Sequence, residues 1–267
     1  MASKIRLDLH MLTQGYVDSR QQAQRLIRAG KVRDVSGKIL DKPGFEVSKD
    51  LKLIIKESRR FVSRGGDKLL AALDRFPINI SGRICLDGGI STGGFTDCLL
   101  KHGASLVYGI DVGYGQTAWS LREDPRVVLK ERTNLRYLRP EDLYKENDAW
   151  ANFVVADLSF ISLKLVLPSI KALLMQEGAE ALLLIKPQFE VGRSRVGKGG
   201  VVRDAKAHLD ALKEVINFSC EEGWKRKGIL ASPITGPAGN NEYLLWLGID
   251  GEEEVFDLEE LVKQTLA

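Results

Sequence analysis

Apolar runs that end in a charged residue recur along this chain, and they predict buried strands whose C-terminal ends share one rim. Ile84 to Leu86 leads into Asp87, Leu106 to Ile110 into Asp111, Phe153 to Ala156 into Asp157, and Ala181 to Ile185 into Lys186. Val127 to Lys130 predicts a further strand. Helix-forming sequence lies between them, near Phe95 to His102 and across Thr117 to Arg122. Another helix is predicted to start near Asp67, burying Leu69, Leu70, Leu73 and Phe76 before Pro77 stops it. Strands alternating with helices predict a doubly wound, mostly parallel α/β sheet, where ligands collect at the C-terminal ends of strands. Late in the chain, Ile229 to Pro233 and Tyr243 to Ile249 flank the turn-rich Thr235 to Asn241, which predicts a closing antiparallel hairpin. The acidic Gly251 to Glu260 reads as a solvated helix end.

The first sixty residues follow a different pattern. Ile5 to Leu12 predicts a helix, and Asp18 or Ser19 can cap a second one that turns Ala23, Leu26 and Ile27 inward and Arg20, Gln24, Arg28 and Lys31 outward. Short strands follow, separated by turns at Ser36-Gly37 and Lys42-Pro43-Gly44, up to Leu51 to Ile55. Residues 57–66 form a basic linker that ends in a glycine pair. At 267 residues the chain suits one large or two unequal domains. Its net charge of +3 hides an asymmetry: residues 1–60 carry 14 Lys/Arg against 7 Asp/Glu, so a basic partner surface is expected at the N-terminus. Cys85, Cys98 and Cys220 form no C-x-x-C pair and have only His10, His102 and His208 for company, so neither a disulfide framework nor a metal site is expected. A reducing cytoplasm fits best. No apolar run is long enough for a signal peptide or a membrane span.

The most chemically informative stretch is Cys85-Leu-Asp-Gly-Gly-Ile-Ser-Thr-Gly-Gly-Phe-Thr-Asp97, a strand that breaks into a glycine turn and opens a helix. Such a turn lets a ligand approach the backbone closely. No G-x-G-x-x-G fits Gly88 to Phe95, and a P-loop needs Lys where Phe95 stands, which argues against a pyrophosphate. Asp111 follows about where a ribose-gripping acid follows a nucleotide-binding loop. A nucleoside ligand without a pyrophosphate suggests S-adenosylmethionine.

The segment "RLDLHMLTQGYVDSRQQAQRLIRAGKVRDVSGKIL", within residues 4–56, resembles the S4 RNA-binding domain. Four further charged residues lie in "SRGGDKL" (Lys68), "ADLSFIS" (Asp157), "LLLIKPQFE" (Lys186) and "NNEYLLW" (Glu242). Each alone reads as a solvated charge or a structural ion pair; together they resemble the Lys-Asp-Lys-Glu tetrad of FtsJ-type ribose 2′-O-methyltransferases. With the S4-like start, nearly the whole chain resembles the TlyA family, the hemolysin A-like ribosomal RNA methyltransferases. That resemblance implies a small α+β S4-like domain at residues 1–58, a linker at 59–66, and a Rossmann-like class I methyltransferase at 67–267. The implied reaction moves a methyl group from S-adenosylmethionine to a cytidine 2′-hydroxyl of ribosomal RNA.

The same resemblance puts cofactor contacts at Asp87, Gly88, Ser91, Gly93, Gly94 and Phe95, with the ribose at Asp111 and adenine near Thr133 and Asn134. The catalytic set is Lys68, Asp157, Lys186 and Glu242. A ribose hydroxyl is a poor nucleophile, so in-line attack on a sulfonium methyl needs alignment and a group to take the proton. Lys186 can take it only as a neutral amine, a state that a nearby Lys68 and partial burial favour and that Asp157 and Glu242 oppose. Expected RNA contacts are Arg6, Arg20, Arg25, Arg28, Lys31, Arg60 and Arg64, joined by Arg193 and Arg195 in a loop that either closes over phosphates or is a mobile surface segment. The four tryptophans are assigned to core or local packing, and the histidines to surface or structural positions. A protein or small-molecule methyltransferase has no need of the S4-like module, and a non-catalytic RNA-binding protein has no need of the four charges. A pore-forming hemolysin needs membrane-inserting segments, which this sequence does not show.

Overall fold

In a computed structural model the described residues are 4–17, 19–55 and 60–267; the candidate cap Asp18 and residues 57–59 of the expected linker lie outside them. Contacts divide the chain into two compact units, Met1–Arg59 and Arg60–Ala267.

In the first unit, β1 (Lys4–Arg6) leads directly into the helix Leu7–Thr13, and Arg20–Arg28 forms the second helix. Ser19 caps that second helix by accepting a hydrogen bond from the Gln22 amide. Next come β2 (Val32–Asp34), β3 (Glu46–Ser48) and β4 (Leu53–Ile55). β1 pairs antiparallel with β3, and β2 with β4. The helix expected from Ile5 therefore starts two residues later, because Lys4–Arg6 finds strand partners some forty residues away, beyond the reach of local periodicity. Leu7, Met11, Ala23, Ile27 and Val32 build the core of this unit. Asp8 is fully buried beside that core. Its carboxylate accepts from Arg6 at 3.1 and 3.0 Å, from Arg20 at 3.0 Å and from the Gln24 amide at 3.0 Å. The Arg6 pair above all holds the carboxyl well below the usual carboxylate range.

The second unit is built on β5 (Ile84–Gly88), β6 (Leu106–Ile110), β7 (Val127–Lys130), β8 (Phe153–Ala156), β9 (Glu180–Ile185), β10 (Lys225–Ala231) and β11 (Tyr243–Gly248). They form one seven-stranded sheet in the order β10-β11-β9-β8-β5-β6-β7. The β9-β8-β5-β6-β7 stretch is parallel, while β11 runs antiparallel to both neighbours. Apolar side chains cover both faces: Leu86, Val154, Leu183 and Tyr243 belong to one core, and Cys85, Val155, Leu184 and Leu244 to the other. The order reverses at β5, whose neighbours are β6 and β8, and such a reversal opens a crevice above the strand ends.

The closing hairpin is longer than its sequence suggests. β10 starts at Lys225 rather than near Ile229, and a bulge between Arg226 and Gly228 lets this charged edge strand stay in register. The helix before β5 spans Gly65–Arg75 and so begins before Asp67, with Gly66 packed against Phe61. The tail also departs from its reading: a helix runs Leu258–Leu266, capped by Asp257, and residues 251–257 are not helical.

Candidate functional site

The turn after β5 holds Gly93 at φ +97° as the cap of the helix Gly94–Lys101. The close approaches made by these glycines are to the chain itself. A Cβ at Gly93 would overlap Leu121, and one at Gly94 would meet the Ser63 side chain and the Gly66 backbone. Phe95 is buried in the second core cluster, so its ring faces packing rather than a ligand. Behind the turn, Asp87 is almost fully buried. Its Oδ2 accepts from the Thr96 amide at 3.0 Å and the Thr96 hydroxyl at 2.6 Å, while its Oδ1 has no hydrogen-bond partner among the described residues. Burial pushes this carboxyl up to about 7; the Thr96 bonds oppose the rise, and the nearby Asp157 and Asp111 charges add to it.

A cavity of about 490 Å³ opens above the crevice. Four of the nine cofactor candidates line it: Ser91, Asp111, Thr133 and Asn134. Asp87, Gly88, Gly93, Gly94 and Phe95 are buried and are not among its lining residues. Asp111 ties the wall together, accepting from the Ser91 amide at 2.7 Å and the Gly113 amide at 2.6 Å. Ser91 itself sits at φ +49°, a left-handed conformation that costs a non-glycine residue on the order of 1–3 kcal/mol. The Asn134 side chain caps the short helical turn Leu135–Tyr137 through the Arg136 amide at 3.0 Å.

The four charged candidates meet at the same rim. β11, β9 and β8 are neighbours, so Glu242 before β11, Lys186 after β9 and Asp157 after β8 stand side by side, and Lys68 reaches in from the helix Gly65–Arg75. Their contacts form an alternating chain. Glu242 Oε2 accepts from Lys68 Nζ at 2.6 Å, which lies 3.4 Å from Asp157 Oδ2; Asp157 Oδ1 in turn faces Lys186 Nζ at 2.6 Å. Lys68, Lys186 and Glu242 are buried, while Asp157 keeps an opening onto the cavity. Two positive and two negative groups cancel, which is what makes such a buried cluster affordable in a low-dielectric setting.

Other residues of the site carried no sequence signal strong enough to select them. Ser159 and Phe160 line the cavity, and Ser159 Oγ accepts from Lys186 Nζ at 3.0 Å. Asn240 bridges the segment that leads through Glu242 into β11 to the loop after Lys186, accepting from the Val202 amide at 3.0 Å and donating to the Gly200 carbonyl at 2.9 Å. His208 reinforces that junction: Nε2 donates to the Val202 carbonyl at 3.0 Å, so Nδ1 accepts from the Tyr243 hydroxyl at 2.9 Å. Burial lowers its pKa and keeps the ring neutral. The repeated Asn in "NNEYLLW" was the available clue.

The RNA candidates separate into two kinds. Arg6 and Arg20 hold the buried Asp8 and Arg195 pairs with Asp210 and Asp204, so each already has a structural task. Arg25, Arg28, Arg64 and Arg193 are exposed, Lys31 is partly so, and Arg60 lies over the Phe61 ring at 5.5 Å. The loop around Arg193 and Arg195 is anchored at its base by buried Val191 and Val202. Trp119 departs from its assignment to packing, with 70% of its surface exposed. Among the described residues no helix is long and apolar enough to cross a membrane, and no group of three or more His, Cys, Asp and Glu could hold a metal ion.

Residues 61–249 match the family described as FtsJ-like methyltransferase, and residues 5–52 match the S4 domain. The chain is 49% identical over 249 residues to the 16S/23S rRNA (cytidine-2′-O)-methyltransferase TlyA of Mycobacterium tuberculosis, covering 92% of this chain and 91% of that one. It is 42% identical over 250 residues to Hemolysin A of Brachyspira hyodysenteriae, covering 90% and 98%. The solved structure of a hemolysin-named protein from Streptococcus thermophilus superposes with a TM-score of 0.74 at 40% identity, covering 99% of this chain and 96% of that one. By both domain matches and by identity across nearly its whole length, the chain belongs to the TlyA family, in which an S4 domain precedes an FtsJ-like methyltransferase.

Proposed function

We propose that this protein is an enzyme that methylates a ribose 2′-hydroxyl of ribosomal RNA, with cytidine as the target nucleoside and S-adenosylmethionine as the methyl donor. The observation that carries the reading is the Lys68–Asp157–Lys186–Glu242 chain of charges at the mouth of a nucleoside-sized cavity. The M. tuberculosis relative, named for this activity, supports the substrate class.

The residues fit the donor. The cavity wall offers Asp111 to a ribose, Thr133 and Asn134 to a base, and the unpartnered buried oxygen of Asp87 suits an ammonium group reaching behind the turn. When bound, S-adenosylmethionine supplies a methyl group on a sulfonium, which leaves as the carbon–sulfur bond breaks with its electron pair going to sulfur. Lys186 rests as an ammonium in the charge-balanced cluster; once that proton has passed to solvent, the neutral amine takes the 2′-hydroxyl proton, Asp157 orients it, and Lys68 and Glu242 fix the ribose and balance the charge. Residues 1–58 supply RNA affinity through Arg25, Arg28 and Lys31, residues 59–66 link, and residues 67–267 carry the chemistry. Ribosomes or their subunits are the partner, and the cytoplasm is the site of action.

Substitution of Lys186 tests this reading. Lys186→Ala should lower single-turnover methyl transfer to ribosomal subunits by at least the roughly 10²-fold typical of general-base loss, with cofactor affinity unchanged. Lys186→Arg should not restore it, since guanidinium does not release its proton at accessible pH. Wild-type rates for Lys186→Arg would show that charge alone is required at this position.

A further inference from the structure

Lys186 Nζ donates to two acceptors, Asp157 Oδ1 at 2.6 Å and Ser159 Oγ at 3.0 Å. We propose that Ser159 is a positioning residue that, together with Asp157, fixes the direction of the Lys186 lone pair; the proposal rests on the methyl-transfer reading above. An amine nitrogen has three positions besides its bond to Cε. In the neutral amine two of these are N–H bonds, and if both are held by acceptors the lone pair is confined to the third. With Asp157 alone, rotation about Cε–Nζ exchanges the lone pair with the free N–H, and the base is aimed correctly only part of the time.

The energetics favour the reacting complex over the resting one. As the 2′-oxygen bonds to the methyl carbon and the carbon–sulfur bond breaks, with its pair moving to sulfur, the hydroxyl proton passes to the Lys186 lone pair. Nζ gains positive charge, and its bond to the Ser159 oxygen becomes charge-assisted, so it strengthens during the step.

Two further observations place Ser159 in this task. It is exposed and lines the same cavity as Asp111, Thr133 and Asp157, while its hydroxyl reaches Lys186. The next residue, Phe160, stands at φ +65°, a left-handed conformation that side-chain-bearing residues rarely adopt, and its 91% exposed ring lies 5.2 Å from that of Phe189. That disfavoured residue directly follows Ser159, and backbone of this kind clusters at functional sites.

The test compares Ser159→Ala and Ser159→Thr in the full chain, with Lys186→Ala alongside. Ser159→Ala should slow single-turnover methyl transfer to ribosomal subunits roughly 10- to 100-fold, the range of a lost charge-assisted hydrogen bond. The melting temperature should stay at its wild-type value, because the side chain is exposed, and the loss should fall on the rate rather than on cofactor affinity or KM for RNA, because the hydroxyl bonds Lys186. Ser159→Thr keeps the hydroxyl and should restore the rate to within a few-fold. A wild-type rate for Ser159→Ala with an inactive Lys186→Ala would overturn this assignment alone, as would a Thr variant as slow as the Ala variant. Wild-type rates for both Ala variants would overturn the role of Lys186 as base and this assignment with it, whereas absence of methyl transfer by the wild-type chain would overturn the methyl-transfer reading itself.

Discussion

Replacing Asp87 by asparagine asks whether a buried carboxylate is kept for a ligand at the expense of the free protein. Burial raises this carboxyl to about 7, so the folded chain holds a proton here that the unfolded chain releases near 4. Stability contributed at this position is therefore lost as pH rises from about 4 through about 7, and the loss is complete above that. Three pH units of displacement correspond to about 4 kcal/mol, of which about 2–3 kcal/mol develops between pH 5 and pH 8. Asparagine keeps an oxygen for the two Thr96 donors and carries no charge, so the variant should escape that slope. Urea unfolding of both proteins at several pH values should show Asp87→Asn gaining on the wild type by that amount as pH increases. Cofactor binding should move the other way. A bound ammonium favours the ionised carboxylate, so wild-type affinity should rise between pH 6 and 8, while the variant binds roughly 10- to 100-fold more weakly and without that pH dependence. A stability difference that stays flat from pH 5 to pH 8 would refute the raised pKa. Equal cofactor affinity and equal pH dependence in the two proteins would refute a role for the unpartnered oxygen.

Lys68→Met should leave the buried Glu242 without its 2.6 Å partner and cost about 3–5 kcal/mol in chemical denaturation, with Glu242→Gln in the same chain recovering part of it; an unchanged midpoint would mean the pair contributes nothing to folding. In the first unit, Arg25→Glu with Arg28→Glu should weaken RNA binding and flatten its salt dependence without destabilising the fold, as read by anisotropy titrations at several salt concentrations. Arg20→Glu should instead lower the unfolding midpoint, because it sets a second negative charge against the buried Asp8.

Much of the site was legible because strand ends announce themselves. A run of apolar residues that stops at Asp87, Asp111, Asp157 or Lys186 marks both a buried strand and the rim where it ends. What could not be read depends on partners distant in the chain. Lys4–Arg6 becomes a strand only because Glu46–Ser48 is beside it, and Arg20 reads as a free basic residue until Asp8 is found buried beneath it. The glycines of the turn suggest room for a ligand, but Leu121, Ser63 and Gly66 occupy the space that their missing side chains leave. Ser159 is the least legible of all, since its bond to Lys186 joins positions 27 residues apart that meet only because β8 and β9 lie side by side.

The position of β11 has a consequence for how the protein comes into being. This strand lies inside the sheet between β9 and β10, yet it is the last of these seven strands to be synthesised. Until residues 243–248 have emerged, β9 presents an open hydrogen-bonding edge and β10 has nothing to pair with, an arrangement that invites association with other nascent chains. Glu242 arrives with that strand, 174 residues after the lysine it pairs with. A polypeptide whose translation stops before residue 242 therefore carries β5, β6 and β7 but lacks the carboxylate that pairs with the buried Lys68.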